Sequence, residues 1–227
     1  MLNVVLVEPE IPANTGNIGR TCVVSGTHLH LVGPLGFSLD DKSLKRAGMD
    51  YWQSLNVSVY DNWDQFLEKN GLIQASGAPA GDAAHDAVAA AGTASNGVFT
   101  ASRSPLHFLT KKAKKTYTQA TYRDGDYLIF GKESLGLSEE LLAQHADECE
   151  RIPMLQDSAS LVNREDWSQK HDALDGDDQY AHPALLRQDI CGNFIDPNEF
   201  SVSALNVSNA AAIVLYEALR QIGFPGM

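Results

Sequence analysis

The chain has 227 residues, enough to bury the core of one domain, and its hydrophobic and charged fractions of 44% and 20% are those of an ordinary globular protein. No apolar run approaches the length of a membrane span, and no basic region, apolar core and small-residue cleavage site opens the chain, so neither a membrane protein nor a secreted one is expected. The net charge of −12 argues against nucleic-acid binding only until its distribution is read: residues 156–203 hold ten acidic and three basic side chains, whereas Lys42, Lys45 and Arg46, and Lys111, Lys112, Lys114 and Lys115, form basic groups elsewhere.

Residues 2–8 read as a buried strand. Asn14 to Ser25 reads as a turn into a helix capped by Asn14 or Thr15. A second strand, Leu29 to Val32, ends at Gly33-Pro34. A short helix is expected over Lys42 to Ala47, a third strand over Val57 to Tyr60, and a helix over Trp63 to Lys69 stopped by Asn70-Gly71. Alternating strands and helices imply a parallel sheet with crossovers. The Ala-, Gly- and Ser-rich stretch 71–97 lacks apolar periodicity and reads as an insertion or loop, with a weak helix possible over Ala83 to Ala91. Strands resume at Leu106 to Leu109 and Tyr127 to Phe130. Ser138 caps a helix over Glu139 to His145, and Arg151 to Met154 reads as a short buried strand. The acidic segment 155–202 is irregular and too long for an ordinary connection, which marks it as an accessory insertion. The last helix, Ala204 to Ile222, has an apolar stripe of Val207, Ala211, Val214, Leu215 and Leu219 and is ended by Gly223 and Pro225.

Three segments join a short apolar run to a helix start through Gly, Asn or Ser. In Asn14-Thr15-Gly16-Asn17-Ile18-Gly19-Arg20, turn chemistry alone accounts for the Asn and Gly residues. The functional reading is a helix start whose amides face a phosphate or ribose, with the Arg20 fork one turn in. In Phe130-Gly131-Lys132-Glu133, Gly131 allows a ligand to lie against backbone and Glu133 can balance a cationic ligand. The Gly-Lys pair is no P-loop, and no Gly-x-Gly-x-x-Gly fingerprint exists. In Leu205-Asn206-Val207-Ser208-Asn209, Asn206 or Ser208 caps the last helix. Tyr216, about two turns past Ser208, shares that site or packs in the core. The Lys111–Lys115 group reads as a solvated face or an RNA contact. The seven histidines lack metal-ligand spacing, so no metal is expected. Cys22, Cys149 and Cys191 are isolated and odd in number, which suits a reduced, cytoplasmic protein.

Taken together, the three segments resemble the signature motifs of the SPOUT class of RNA methyltransferases. With Glu8-Pro9-Glu10-Ile11-Pro12, Asp41 to Tyr51 and the terminal Gly-Phe-Pro-Gly, the likeness is nearest to the tRNA 2'-O-methyltransferases of the wobble nucleotide. It covers roughly two-thirds of the chain. The resemblance implies an α/β fold, a single domain with a parallel sheet, helices on both faces and a deep C-terminal trefoil knot, here with insertions at about 70–104 and 155–202. It also implies a homodimer that binds S-adenosylmethionine in the knot and acts on the anticodon loop of tRNA. Leu109, Gly131, Ile152, Met154 and Leu205 are implied to line the cofactor pocket, with Glu133 beside them. Arg20 and Asn206 are implied to face the ribose, supported by Ser208 and Tyr216, and Asn14, Asn17, Lys42 and Arg46 to contact RNA. The implied reaction is methyl transfer from a sulfonium to a ribose 2'-hydroxyl. An arginine stays protonated in a protein, so Arg20 is expected to clamp phosphate and stabilise the forming alkoxide. The rival readings are 2'-O-methylation of ribosomal RNA or of another tRNA position, a non-catalytic RNA-binding protein of the same fold, and a nucleotide-binding α/β enzyme, which lacks a phosphate loop. Ala204, where a Ser is common in the family, and the two insertions depart from the family pattern.

Overall fold

A computed structural model describes residues 1–39, 50–72, 105–154, 182–186 and 204–227. Six parallel strands, β1 (Asn3–Val7), β2 (His28–Val32), β3 (Val57–Tyr60), β4 (Leu106–Leu109), β5 (Tyr127–Phe130) and β6 (Cys149–Glu150), form one sheet in the order β3-β2-β1-β5-β4-β6. The central strands are almost continuously apolar because helices cover both faces, as expected of a parallel sheet. Each face has its own core. Helices α1 (Pro12–Ser25) and α4 (Val207–Gln221) pack over Leu2, Val4, Leu6, Leu29, Leu31, Leu128 and Phe130. On the other face, α2 (Trp63–Lys69) and α3 (Glu139–Gln144) bring Phe66 and Leu142 against Val5, Val32, Phe108 and Ile129.

Local chemistry sets the helix ends. The Asn62 side chain accepts from the Gln65 amide at the start of α2, and Ser138 from the Leu141 amide at the start of α3. Helix α1 stops at Gly26, whose φ of 64° lies in the left-handed region that costs a glycine least. Helix α4 starts one turn later than expected, after the cap Asn206. Its buried face of Ala211, Val214, Leu215 and Leu219 is the expected stripe, with Val207 half-buried.

The start of α1 and the sixth strand differ from expectation. Helix α1 begins at Pro12 with Ile11 at the cap position, so neither Asn14 nor Thr15 caps it. Proline suits that first position, because its missing N–H would have no helical partner there. Arg20 therefore lies more than two turns into α1. The sixth strand is Cys149–Glu150, and Arg151 makes only an isolated bridge to Thr116, with Pro153 exposed. The expected helices over Lys42 to Ala47 and Ala83 to Ala91, Lys42 and Arg46 themselves, and most of both insertions lie outside the described residues. Of the second insertion, residues 182–186 run antiparallel to the loop after β4. There Lys114 N donates to Ala184 O at 3.1 Å, Leu186 N donates to Lys112 O at 2.7 Å, and Leu185 is buried beneath the second core.

Candidate active site

The C-terminal ends of β1, β5, β4 and β6 lie side by side, where open parallel sheets place their ligands. The loops after β1 and β5 meet there. Glu8, at the end of β1, has a left-handed φ of 51° and pairs with Lys132 at 2.8 Å. A positive φ is uncommon for a residue with a Cβ. The Glu10 carboxylate accepts from Ser134 N at 3.0 Å and from Ser134 Oγ at 2.8 Å.

One chain of hydrogen bonds runs through all three motifs. The Glu133 carboxylate accepts from Glu10 N at 2.9 Å, Ile11 N at 3.3 Å and Asn14 Nδ2 at 3.0 Å. Asn14 Oδ1 in turn accepts from Asn206 Nδ2 at 2.8 Å. Asn206 Oδ1 accepts from Ser208 N at 2.9 Å and Ser208 Oγ at 2.6 Å. The first and last motifs are thus joined across 192 residues of sequence, with Glu133 capping the start of α1 from another loop. A carboxylate suits a helix start, since the unpaired amides and the helix dipole both favour negative charge.

This arrangement revises several expected roles. Glu133 takes the amides of Glu10 and Ile11 just before α1, and the Asn14 and Thr15 amides donate to Ile11 O. Asn14 is only 6% exposed, and both ends of its side-chain amide are engaged, by Glu133 and by Asn206. Ser208 is buried and its hydroxyl is committed to Asn206, which makes it a support for Asn206. Asn206, and not Ser208, caps α4, and the residue is exposed. Tyr216 neither packs in the core nor joins Ser208; it is 44% exposed, on the face of α4 that also presents Asn209 and Ile213. The space that a Cβ on Gly131 would fill is taken by the protein's own backbone, with Gly136 C at 2.1 Å and Leu137 N at 2.3 Å. Gly131 therefore closes the loop of the second motif on itself.

Among the expected cofactor residues, Leu109 ends β4, Gly131 follows β5, and Ile152 and Met154 follow β6, all half-buried at the same sheet edge. Leu109 and Ile152 also pack against the first core, and Leu205 is exposed just before α4. Arg20 and Asn17 lie one turn apart on the exposed side of α1. The Arg20 guanidinium lies over the Tyr51 ring, 5.0 Å from its centroid, and Tyr51 Oη donates to Gly16 O. Burial raises the Tyr51 pKa while Arg20 pulls it back; the net shift is upward, so the phenol is neutral near pH 7. Sequence reading passed over Tyr51. The signal available was its place at the end of the Asp41 to Tyr51 segment.

Sequence reading also missed a second polar cluster. His107 sits between Glu150 (Nδ1 to Oε1, 2.9 Å) and Asp126 (Nε2 to Oδ2, 3.0 Å). Glu150 also accepts from Lys115 Nζ at 3.0 Å and Tyr122 Oη at 2.9 Å. Burial alone would lower the His107 pKa, but its bonds to Asp126 and Glu150 outweigh that and raise it above the ordinary 6.5. The Lys111–Lys115 group is thus partly spent inside the protein: Lys115 pairs with Glu150, and Lys112 with Glu139. Among the described residues, no group of three or more His, Cys, Asp or Glu is placed to hold a metal ion, and no helix is long and apolar enough to cross a membrane.

The profile of the SpoU rRNA Methylase family matches residues 1–95 of the chain. Full-length relatives narrow this class. A protein of Geobacillus stearothermophilus, provisionally named a tRNA (cytidine(34)-2'-O)-methyltransferase, is 37% identical over 100% of this chain and 98% of its own. The tRNA (cytidine(34)-2'-O)-methyltransferase of Escherichia coli is 33% identical over 100% of this chain and 97% of its own. A solved structure described as giving insight into the 2-OH methylation of C/U34 on tRNA superposes with a TM-score of 0.58 at 29% identity, over 97% of this chain and 95% of that one. The chain belongs to the tRNA (cytidine(34)-2'-O)-methyltransferase family.

Proposed function

We infer that this chain is an S-adenosylmethionine-dependent enzyme that methylates the ribose 2'-hydroxyl of the wobble nucleotide 34 of tRNA. The observation that carries the reading is the bonded chain Glu133–Asn14–Asn206–Ser208, which gathers the three motifs at one sheet edge.

The residues there suit the cofactor. S-adenosylmethionine has no phosphate, so the missing phosphate loop is no obstacle. Half-buried Leu109, Ile152 and Met154 offer apolar contact, with Gly131 directly after β5 and Leu205 just before α4. The Thr15 hydroxyl, buried beside Asn14 and without a partner among the described residues, is the kind of group that a ligand or water satisfies. When bound, the cofactor supplies an electrophilic methyl group. Asn206, fixed through both atoms of its amide, orients the ribose. Arg20 holds the neighbouring phosphate and offsets charge developing on the 2'-oxygen. The hydroxyl proton passes to water or to that phosphate. Asn17, together with Lys42 and Arg46, extends the contact along the anticodon loop.

The rest of the reading concerns assembly. β6 is the outermost strand beside β4, while α4 packs on β5 and α1; the reading takes the C-terminal part as the deep trefoil knot of a single SPOUT domain. Exposed Val24 on α1 and Ile213 and Tyr216 on α4 offer apolar surface for a homodimer. Unpaired Cys22 and Cys149 suit the reducing cytoplasm. The test is methyl transfer from labelled S-adenosylmethionine to total tRNA, with the product mapped by nuclease digestion. A 2'-O-methyl at position 34 is expected. Label at another tRNA position, or only in ribosomal RNA, overturns the substrate. Cofactor binding without transfer to any RNA points to a non-catalytic RNA-binding protein.

A further inference from the structure

Arg20 projects from the exposed side of α1, and an arginine side chain there has about 2 kcal/mol of rotamer entropy to lose before it can clamp anything. The surroundings of Arg20 reduce that loss. The 3-10 turn Asp50–Ser54 packs on α1 where Gly19 leaves room: a Cβ there would lie 3.1 Å from Leu55 Cδ2 and 3.6 Å from the Tyr51 and Trp52 rings. Tyr51 is fixed at both ends of its side chain. Its ring lies under the guanidinium, 5.0 Å from centroid to Cζ, and its hydroxyl donates to the Gly16 carbonyl one turn before Arg20. A ring face attracts a guanidinium by about 0.5–1 kcal/mol at an exposed site and by more once bound substrate excludes water. Gly19 is buried and, lacking a Cβ, leaves room for this turn, while buried Gly16 accepts from the Tyr51 hydroxyl through its carbonyl.

We propose that Tyr51 is a positioning residue: it holds the Arg20 guanidinium in the orientation in which it meets the RNA substrate, acting through Arg20 and touching no reacting atom itself. The proposal rests on the methyltransferase reading of Arg20. It also makes the Asp50–Ser54 turn part of the catalytic apparatus.

Three substitutions test it. Tyr51→Phe keeps the ring under Arg20 and should keep kcat within about two-fold of wild type. Tyr51→Leu should lower kcat about ten-fold at unchanged S-adenosylmethionine affinity. Pentafluorophenylalanine at position 51, which keeps the shape but reverses the charge pattern of the ring face, should fall with Tyr51→Leu; it decides the matter if Tyr51→Leu does not fold. In an Arg20→Ala background the Leu substitution should cost nothing further, whereas a purely structural role would lower activity in both backgrounds. The Arg20 Nε–H proton resonance provides a readout independent of turnover. Ring current should shift it in wild type and in Tyr51→Phe, and the shift should vanish in Tyr51→Leu. Wild-type kcat in the Leu and pentafluorophenyl variants, or an unchanged Arg20 resonance in the Leu variant, overturns the proposal. If the unmodified protein transfers no methyl group, the enzymatic reading fails, and the resonance alone then decides whether Tyr51 orders Arg20.

Discussion

Two polar networks in this molecule use similar side chains to opposite ends. The chain from Glu133 through Asn14 to Asn206 lies at the open edge of the sheet, contains one charge, and ends on exposed Asn206. The cluster around His107 is sealed: His107, Asp126 and Glu150 are 4%, 3% and 0% exposed, with Tyr122 and Lys115 closing it. The open chain fixes side chains toward something outside the protein. The sealed cluster satisfies charges already buried, and so ties β4, the start of β5 and β6 together. Substitutions in the first should therefore be read mainly in activity, and in the second mainly in stability.

The sharpest separation is expected at the open edge. Arg20→Ala should lower turnover about 100-fold or more, the scale for loss of one group that stabilises transition-state charge, while cofactor affinity measured by calorimetry stays within about two-fold. Wild-type turnover would remove Arg20 from the mechanism. His107→Ala should cost about 3 kcal/mol of unfolding free energy, because it removes the side chain that bridges two buried carboxylates, and should leave kcat of the folded fraction nearly unchanged. A large loss of kcat at full stability would merge the two regions into one functional unit. Glu133→Ala removes a charged acceptor of three hydrogen bonds and should cost about 2 kcal/mol; it should also lower kcat, since Asn14 and with it Asn206 lose their fixed orientation.

The sealed cluster adds a pH signature. The folded His107 pKa is raised above 6.5, so its contribution to stability is complete below 6.5 and fades as pH rises through the folded value. The stability advantage of wild type over His107→Gln in urea melts should accordingly shrink from pH 6 towards pH 9; an advantage that grows with pH would contradict a protonated His107. The smallest effect is expected from Ser208→Ala, which loses one hydroxyl bond to Asn206, about 1 kcal/mol, and should change kcat only a few-fold.

Much of the fold was legible because its signals are local. Val57 to Tyr60, Trp63 to Lys69, Leu106 to Leu109 and Tyr127 to Phe130 carry apolar runs bounded by turn residues, and the structure gives those same bounds. The start of α1 was misplaced because its cap is supplied by Glu133, 122 residues from Ile11, and no local pattern encodes a cap from so far away. The same holds within the site. The motifs were legible one at a time, but only the assembled fold shows that Asn14 and Ser208 face inward to hold Asn206, or that Gly131 admits backbone. The His107 cluster was invisible because its members come from three strand ends, and each alone reads as an ordinary polar residue.

The hydrogen bond between Asn14 and Asn206 also has a consequence in time. On a ribosome the first motif emerges long before its partner is synthesised. Contacts this distant in sequence form late, since the entropy of closing so large a loop must be overcome first. The nascent protein is therefore expected to lack a working centre until its last helix is made. Methylating competence should appear abruptly, when the final helix docks, and not gradually with chain length.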